Sequence, residues 1–353
     1  MALQYLFFGN LLPDQSAKLE DDFYKEFTAM RQLENSPGMF NSVRLYTNIQ
    51  ADTEATPILA FPAAIRANMS ILLGIWCSGS NNITNELNAL NSAINQYGDD
   101  FVNAVIGISV GSEDMYRITE KGVESQAGVG QGPEMIVKFI NDTREAIEGT
   151  ALGKGPNDAY YNTCNLTRKP VGHVDTWTAW VNSSNSAVID AIDWAGVDIY
   201  PYYEKDENNT FANAKSLFDD LYNMTLDAIG DKPVWVTETG WPFTGISWGR
   251  GEPSVDNQRD YWREIGCSEL FGRVNTWWYT LRDANAANKQ QFAITDDVST
   301  TPHFDMSCPA GRGAPATINE RTSTSLATKP LVGGKTTAWA SVLLACLIMT
   351  SGY

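Results

Sequence analysis

The stretch "PVWVTETGWPFTG" (233–245) decides the fold. Val234, Trp235 and Val236 make a short apolar run of strand type, Glu238 stands at its end, and a Gly-Trp-Pro turn follows directly. An apolar segment normally excludes ionisable groups, because burying an unpaired charge costs several kcal/mol. A carboxylate in this position points to a strand whose C-terminal end opens onto a shared mouth, where a polar group is used rather than merely buried.

Working outward, similar apolar runs recur along the chain. They are "LQYLFF" (3–8), "SVRLY" (42–46), "SILLGIW" (70–76), "AVIGISV" (104–110), "GHVDTW" (172–177), "GVDIY" (196–200) and "VNTWWYT" (274–280), which with 233–238 make eight. Between them lie stretches with apolar residues at helical spacing, such as Leu19, Phe23, Phe27 and Met30, or Leu87, Leu90, Ile94 and Tyr97. Eight β-α units with near-continuous apolar strands predict an α/β fold of the (β/α)8 TIM-barrel type, as a single domain over 1–308. A doubly wound open sheet is the alternative, but no GxGxxG-type phosphate loop follows the first strand.

With 353 residues and 43% hydrophobic content, the chain can bury a large core. Its formal charge of -17, without a Lys/Arg-rich block, repels phosphate backbones and argues against nucleic acid as a partner. A neutral polysaccharide feels no such repulsion. Five cysteines (Cys77, Cys164, Cys267, Cys308, Cys346) form no CxxC pair, and only His173 and His303 are available, so no metal site is expected. Cys267 and Cys308 are the expected disulfide, tying the end of the last barrel segment to the chain beyond it. Seven N-x-Ser/Thr triplets, beginning at Asn68, Asn82, Asn141, Asn165, Asn182, Asn208 and Asn223, favour a secreted glycoprotein. Asn68 abuts an apolar strand and is the least suited of them to carry a glycan.

Residues 309–337 turn rich in Pro, Gly, Ser and Thr and read as a disordered linker. Residues 338–353 hold the apolar run "AWASVLLACLIMT", too short to span a bilayer, which needs about 20 residues. Small residues, a polar spacer and a short apolar tail fit a GPI-anchor signal removed on maturation, with Ser323, Ser325 and Gly333 as possible attachment sites. A membrane partner through that lipid anchor and a cell-surface location are therefore expected. The opening "MALQYLFFGN" lacks a basic n-region and a cleavage site, so the start is expected to lie inside a longer gene product.

In a barrel the strand C-termini share one mouth, so the polar residues there carry the function. The fourth strand ends in "GISVGSEDMYR" (107–117), presenting Glu113, and the seventh presents Glu238. Hydrolysis of an acetal link between sugars needs a proton for the leaving oxygen and a negative charge against a developing oxocarbenium ion, and two carboxyl groups supply both. A single Glu at a strand end is more often a surface or salt-bridge residue. Asp175, Asp198 and Asp283 fall under that reading, as groups that orient neighbours. Tyr46, Tyr200, Tyr202, Trp241 and Trp278 stand at or just beyond strand C-termini, where flat rings can stack on the C–H faces of sugars.

On these residues the chain resembles glycoside hydrolase family 17. "VWVTETGWP" (234–242) is similar to the family signature, in which the Glu between two Thr residues is the nucleophile. The stretches 107–117, "VGHVDTWTAWVN" (171–182), "GVDIYPYYE" (196–204) and "GRVNTWWYTLRDA" (272–284) resemble its fungal GPI-anchored branch of endo-β-1,3-glucanases. The resemblance covers most of 3–308 and implies a (β/α)8 barrel, no cofactor, β-1,3-glucan as substrate and a retaining mechanism. It casts Glu238 as nucleophile and Glu113 as proton donor and base. A β-1,3-glucanosyltransferase with the same pair is the alternative. A non-catalytic wall-binding protein predicts the loss of one carboxylate, and both are present. A monomer is expected.

Two departures stand out. Ser112 occupies the position before the acid, where many relatives place Asn to bond the sugar 2-hydroxyl, and its hydroxyl can still donate one hydrogen bond. Residues 153–170, "GKGPNDAYYNTCNLTRKP", read as an insertion before the fifth strand, either a surface loop or a retained intron.

Overall fold

A computed structural model of the chain describes residues 4–7, 10–38, 40–154, 168–283 and 288–309, the first of these segments as backbone. Strands β1 (Gln4–Phe7), β2 (Ser42–Arg44), β3 (Ser70–Ile75), β4 (Val105–Ser112), β5 (Val171–Thr176), β6 (Ala195–Asp198), β7 (Val234–Thr239) and β9 (Thr276–Trp278) pair in that order and close into one barrel. All eight pairings are parallel, and the last strand returns to the first through Gln4↔Thr276 and Tyr5↔Trp277. Closure rules out the open sheet. Two short strands, β8 (Thr244–Gly245) and β10 (Gln290–Gln291), pair antiparallel outside the barrel.

Alternation along each strand sorts the apolar residues into two layers. One set faces the helices, for example Ile71, Leu73 and Ile75 on β3 and Val234 and Val236 on β7. The other fills the barrel interior with Leu72, Val174, Trp194 and Trp277, flanked by Ile106 and Trp235. Trp194 stacks on Trp235 with ring centroids 4.1 Å apart.

The helices follow the expected spacing, with one shift. Glu20–Arg31 fully buries Phe23, Phe27 and Met30, whereas Leu19 is 58% exposed because it caps the helix in extended conformation rather than joining its stripe. Pro133–Ile147 begins with Pro, whose missing N–H is no loss at that position. Ala214–Ile229 stops at Gly230, whose φ of 72° suits a residue without Cβ. The helix Val255–Tyr261 continues into the π-wound turns of Trp262–Leu270, and the expected disulfide Cys267–Cys308 ties that segment to the chain beyond the barrel.

Residues 155–167 of the insertion, and all but residue 309 of the linker 309–337 and tail 338–353, lie outside the described residues. Among the described residues no helix is long and apolar enough to cross a membrane. The asparagines of the six described glycosylation triplets are all exposed, Asn68 included, because it sits in a left-handed turn ahead of β3 rather than within the strand.

Candidate active site

Glu113 and Glu238 come together in a cleft of about 1180 Å³ at the C-terminal ends of the strands. Glu238 lies on β7 with its side chain 10% exposed. Its Oε1 accepts hydrogen bonds from Arg44 Nη1 at 2.7 Å and from the Tyr46 hydroxyl at 3.0 Å, and its Oε2 accepts from the Tyr200 hydroxyl at 2.7 Å. Donors to both oxygens fix the carboxylate in place. Burial, followed by the charge of Glu238, pushes the Tyr46 and Tyr200 phenols well above their ordinary range, so both remain O–H donors.

Arg44 is buried on β2, a position the sequence reading passed over. Besides Glu238, its Nη2 donates to Ser112 Oγ at 2.9 Å, and Nη1 lies 3.9 Å from Asp198 Oδ1. Burial and the neighbouring Glu238 raise Asp198 well above the usual carboxylate range, with Arg44 opposing, while the Thr237 hydroxyl donates to Asp198 Oδ1 at 2.6 Å.

Glu113 follows β4 directly. Its backbone N–H donates to Val174 O at 2.9 Å, and its φ of 57° places it in the left-handed region, rarely adopted by side chains with a Cβ. That turn aims the carboxyl group into the cleft, where its side chain is 26% exposed and 3.9 Å from Arg117. Burial, then the charges of Glu238 and Asp175, push Glu113 up to about 8, with Arg117 and Arg44 opposing. One carboxylate held by three donors thus sits in the same cleft as one that keeps its proton at neutral pH.

Of the six other residues proposed from sequence, Tyr46, Ser112 and Tyr200 line the cleft. Ser112 uses its oxygen to accept from Arg44, which leaves the hydroxyl proton unused by that bond. Tyr202, Trp241 and Trp278 do not line it: each is 0% exposed and belongs to the core. Trp277 points into the barrel, so alternation turns Trp278 outward against Tyr261, Trp262 and Phe271. Tyr202 and Trp241 pack edge to face at 5.3 Å, with the Tyr202 hydroxyl on Ile246 O and the Trp241 indole on Glu252 O.

Besides Tyr46 and Tyr200, the rings that line the cleft are Trp76, Tyr116, Trp177, Tyr203, Trp248, Tyr279 and Phe292. Trp76 and Tyr203 are each 38% exposed. Asp175 and Asp283 orient backbone as expected: Asp175 accepts from Met115 and Tyr116 N–H groups, and Asp283 from those of Phe292 and Ala293.

An eight-stranded parallel barrel with a pair of unequal carboxyl groups at one mouth defines the class, a barrel glycoside hydrolase domain. The chain belongs to the BtgE/BtgC glycoside hydrolase domain family, whose description matches residues 6–295. A probable glucan endo-1,3-beta-glucosidase of Aspergillus oryzae is 48% identical over 303 residues, covering 85% of this chain and 62% of the relative. A glucan 1,3-beta-glucosidase of Candida albicans is 32% identical over 228 residues, covering 63% of this chain and 66% of that relative. The chain therefore spans about two thirds or less of these relatives' length. A glycoside hydrolase family 17 beta-1,3-glucanosyltransferase of Rhizomucor miehei shares the fold, with a TM-score of 0.64, 20% identity and coverage of 87% of this chain and 98% of that one.

Proposed function

We propose that this protein is a retaining endo-hydrolase of β-1,3-glucan. Glu238 attacks the anomeric carbon, forming a C–O bond as the glycosidic C–O bond breaks, and Glu113 gives its proton to the leaving oxygen. The ester neutralises Glu238, which removes one of the charges holding Glu113 up. Glu113 then takes a proton from water, water oxygen bonds to the anomeric carbon, the ester opens, and both carboxyl groups return to their starting states. The observation that carries this reading is the inequality of the two groups: Glu238 gripped by Arg44, Tyr46 and Tyr200, Glu113 pushed up to about 8 beside it. The names of the Aspergillus and Candida relatives support β-1,3-glucan as the substrate.

Arg44, Tyr46 and Tyr200 hold the nucleophile, Ser112 offers a hydroxyl to the sugar, and Trp76 and Tyr203 are the exposed rings for stacking. We place the enzyme at the cell surface as a GPI-anchored monomer in the wall. The surface and anchor assignment is supported by the composition of 309–353, the exposed asparagines of the six described glycosylation triplets and the Cys267–Cys308 disulfide, which belongs to an oxidising compartment.

The test is product analysis by mass spectrometry and proton NMR with laminarin oligosaccharides, wild type beside Glu238→Ala. Short products released first as β anomers, from wild type alone, support the reading. Products longer than the substrate reassign the enzyme as a glucanosyltransferase, and initial α anomers overturn retention.

A further inference from the structure

Among the buried titratable groups that the mechanism leaves unused, one stands beside the proton donor. His173 lies on β5, fully buried, directly behind the turn that carries Glu113. Its Nδ1 is 2.6 Å from the carbonyl oxygen of Val110, and its Nε2 is 3.1 Å from Asp175 Oδ2. A backbone carbonyl is only an acceptor, so Nδ1 carries a hydrogen. Asp175 accepts from the N–H groups of Met115, Tyr116 and Thr176, the pattern of an ionised carboxylate, and a carboxylate has no hydrogen to give, which makes Nε2 a donor as well. A neutral imidazole has one N–H and cannot satisfy both.

We propose that His173 is an imidazolium at neutral pH that locks the left-handed turn of Glu113, a positioning residue for the proton donor; this rests on the reading of Glu113 given above. The charged groups facing it are Asp175, from its own strand, and Asp114, from the turn after β4. The Trp180 ring closes another side edge-on at 5.7 Å. Asp114 binds the other flank of the turn, accepting from Ser112 N–H at 2.9 Å and from the Ser78 hydroxyl at 2.7 Å. Both aspartates that grip the backbone around Glu113 therefore face one cation. Space is tight: a Cβ on Gly111 would come within 2.5 Å of Asp114 Oδ2 and 3.0 Å of the imidazole. Burial opposes the charge on His173, yet the hydrogen bond and the charges of Asp175 and Asp114 raise it above its ordinary value. A residue held at positive φ persists only when its surroundings over-determine it. Here Asp175 and Asp114 do so, and the imidazolium keeps the two carboxylates compatible in one buried space.

The chain has two histidines, which makes the state directly readable. In His303→Gln, His173 is the single histidine, and a long-range proton–nitrogen spectrum of the 15N-labelled protein reports each ring nitrogen. Both nitrogens protonated at pH 7 is the expected result; a neutral tautomer at pH 7 overturns the proposal. This arm needs no turnover, so it stands or falls independently of the glucanase reading. The second arm compares kcat/KM of wild type, His173→Gln and His173→Asn on laminarin oligosaccharides and on an aryl β-laminaribioside whose leaving group needs no proton. A positioning role predicts about a tenfold loss on the oligosaccharide and less than about twofold on the aryl substrate. Equal losses on both, or none, overturn the role. Wild type inert on both substrates sinks the glucanase reading and leaves the spectrum to decide the imidazolium.

Discussion

Replacing Glu238 by Gln, which keeps shape and removes charge, should lower the pH at which Glu113 ionises. Glu113 is pushed up to about 8 first by burial and next by Glu238. The two side chains share one mouth, and a retaining pair stands about 5 Å apart. At that distance, with an effective dielectric constant of about 20, two unit charges interact by about 3 kcal/mol. At about 1.4 kcal/mol per tenfold change in ionisation, this moves the Glu113 midpoint down by about 2 pH units. At about 8 Å, the spacing of an inverting pair, the same arithmetic gives about 1.5 pH units, so either geometry produces a large effect. The assay is carbon-13 NMR of glutamate-labelled protein titrated from pH 4 to 10, with Glu113 identified as the carboxyl resonance missing in Glu113→Gln. Wild type should titrate near 8, matching an alkaline limb in kcat/KM. A Glu113 midpoint that stays put in Glu238→Gln, or lies in the ordinary carboxylate range in wild type, refutes the coupling on which the proposed acid-to-base switch depends.

Glu113→Gln should also stabilise the fold in one pH window. The folded state holds a proton on Glu113 up to about 8, while the unfolded chain releases it near 4.5, so native stability falls as pH rises between those values, and a neutral Gln escapes that loss. The gain should reach about 2 kcal/mol at pH 8 and vanish at pH 4 by thermal denaturation; it is less than half the full linkage because the side chain is 26% exposed to screening solvent. Arg44→Lys should cost about 100-fold in kcat/KM with the fold intact by circular dichroism, since a single ammonium cannot bond Glu238 and Ser112 together as the guanidinium does; wild-type kinetics would remove Arg44 from the site. Trp76→Ala should raise KM about tenfold with little change in melting temperature, whereas Trp278→Phe should lower the melting temperature and leave KM alone; the reverse pattern would return Trp278 to the cleft.

The barrel was legible because a parallel strand covered on both faces reads as an unbroken apolar run, and all eight runs became strands. The two carboxyl groups were legible because each ends such a run. The aromatic rim was legible only in part. Standing near a strand end says a residue is close to the mouth, but facing it depends on the side to which the chain turns, and β4, β6 and β7 each change register near that end, between Ser109 and Ser112, Val197 and Asp198, and Val236 and Thr239. A bulge reverses the alternation, so parity counted from the apolar core fails at those ends, and Tyr202 and Trp241 lie past their strands, where it does not apply; on the last strand parity holds and turns Trp278 away from the mouth. Trp76, Trp177 and Trp248 reach the cleft from beyond the strands, where no periodicity applies. Arg44 is a different kind of omission, because its signal was present: a cation inside "SVRLY" is as costly to bury as Glu238 inside "PVWVTE". Either charge alone is an anomaly in a buried strand. Two of opposite sign, in two strands of one closed barrel, each explain the other, and the 2.7 Å contact between them is what that reasoning calls for.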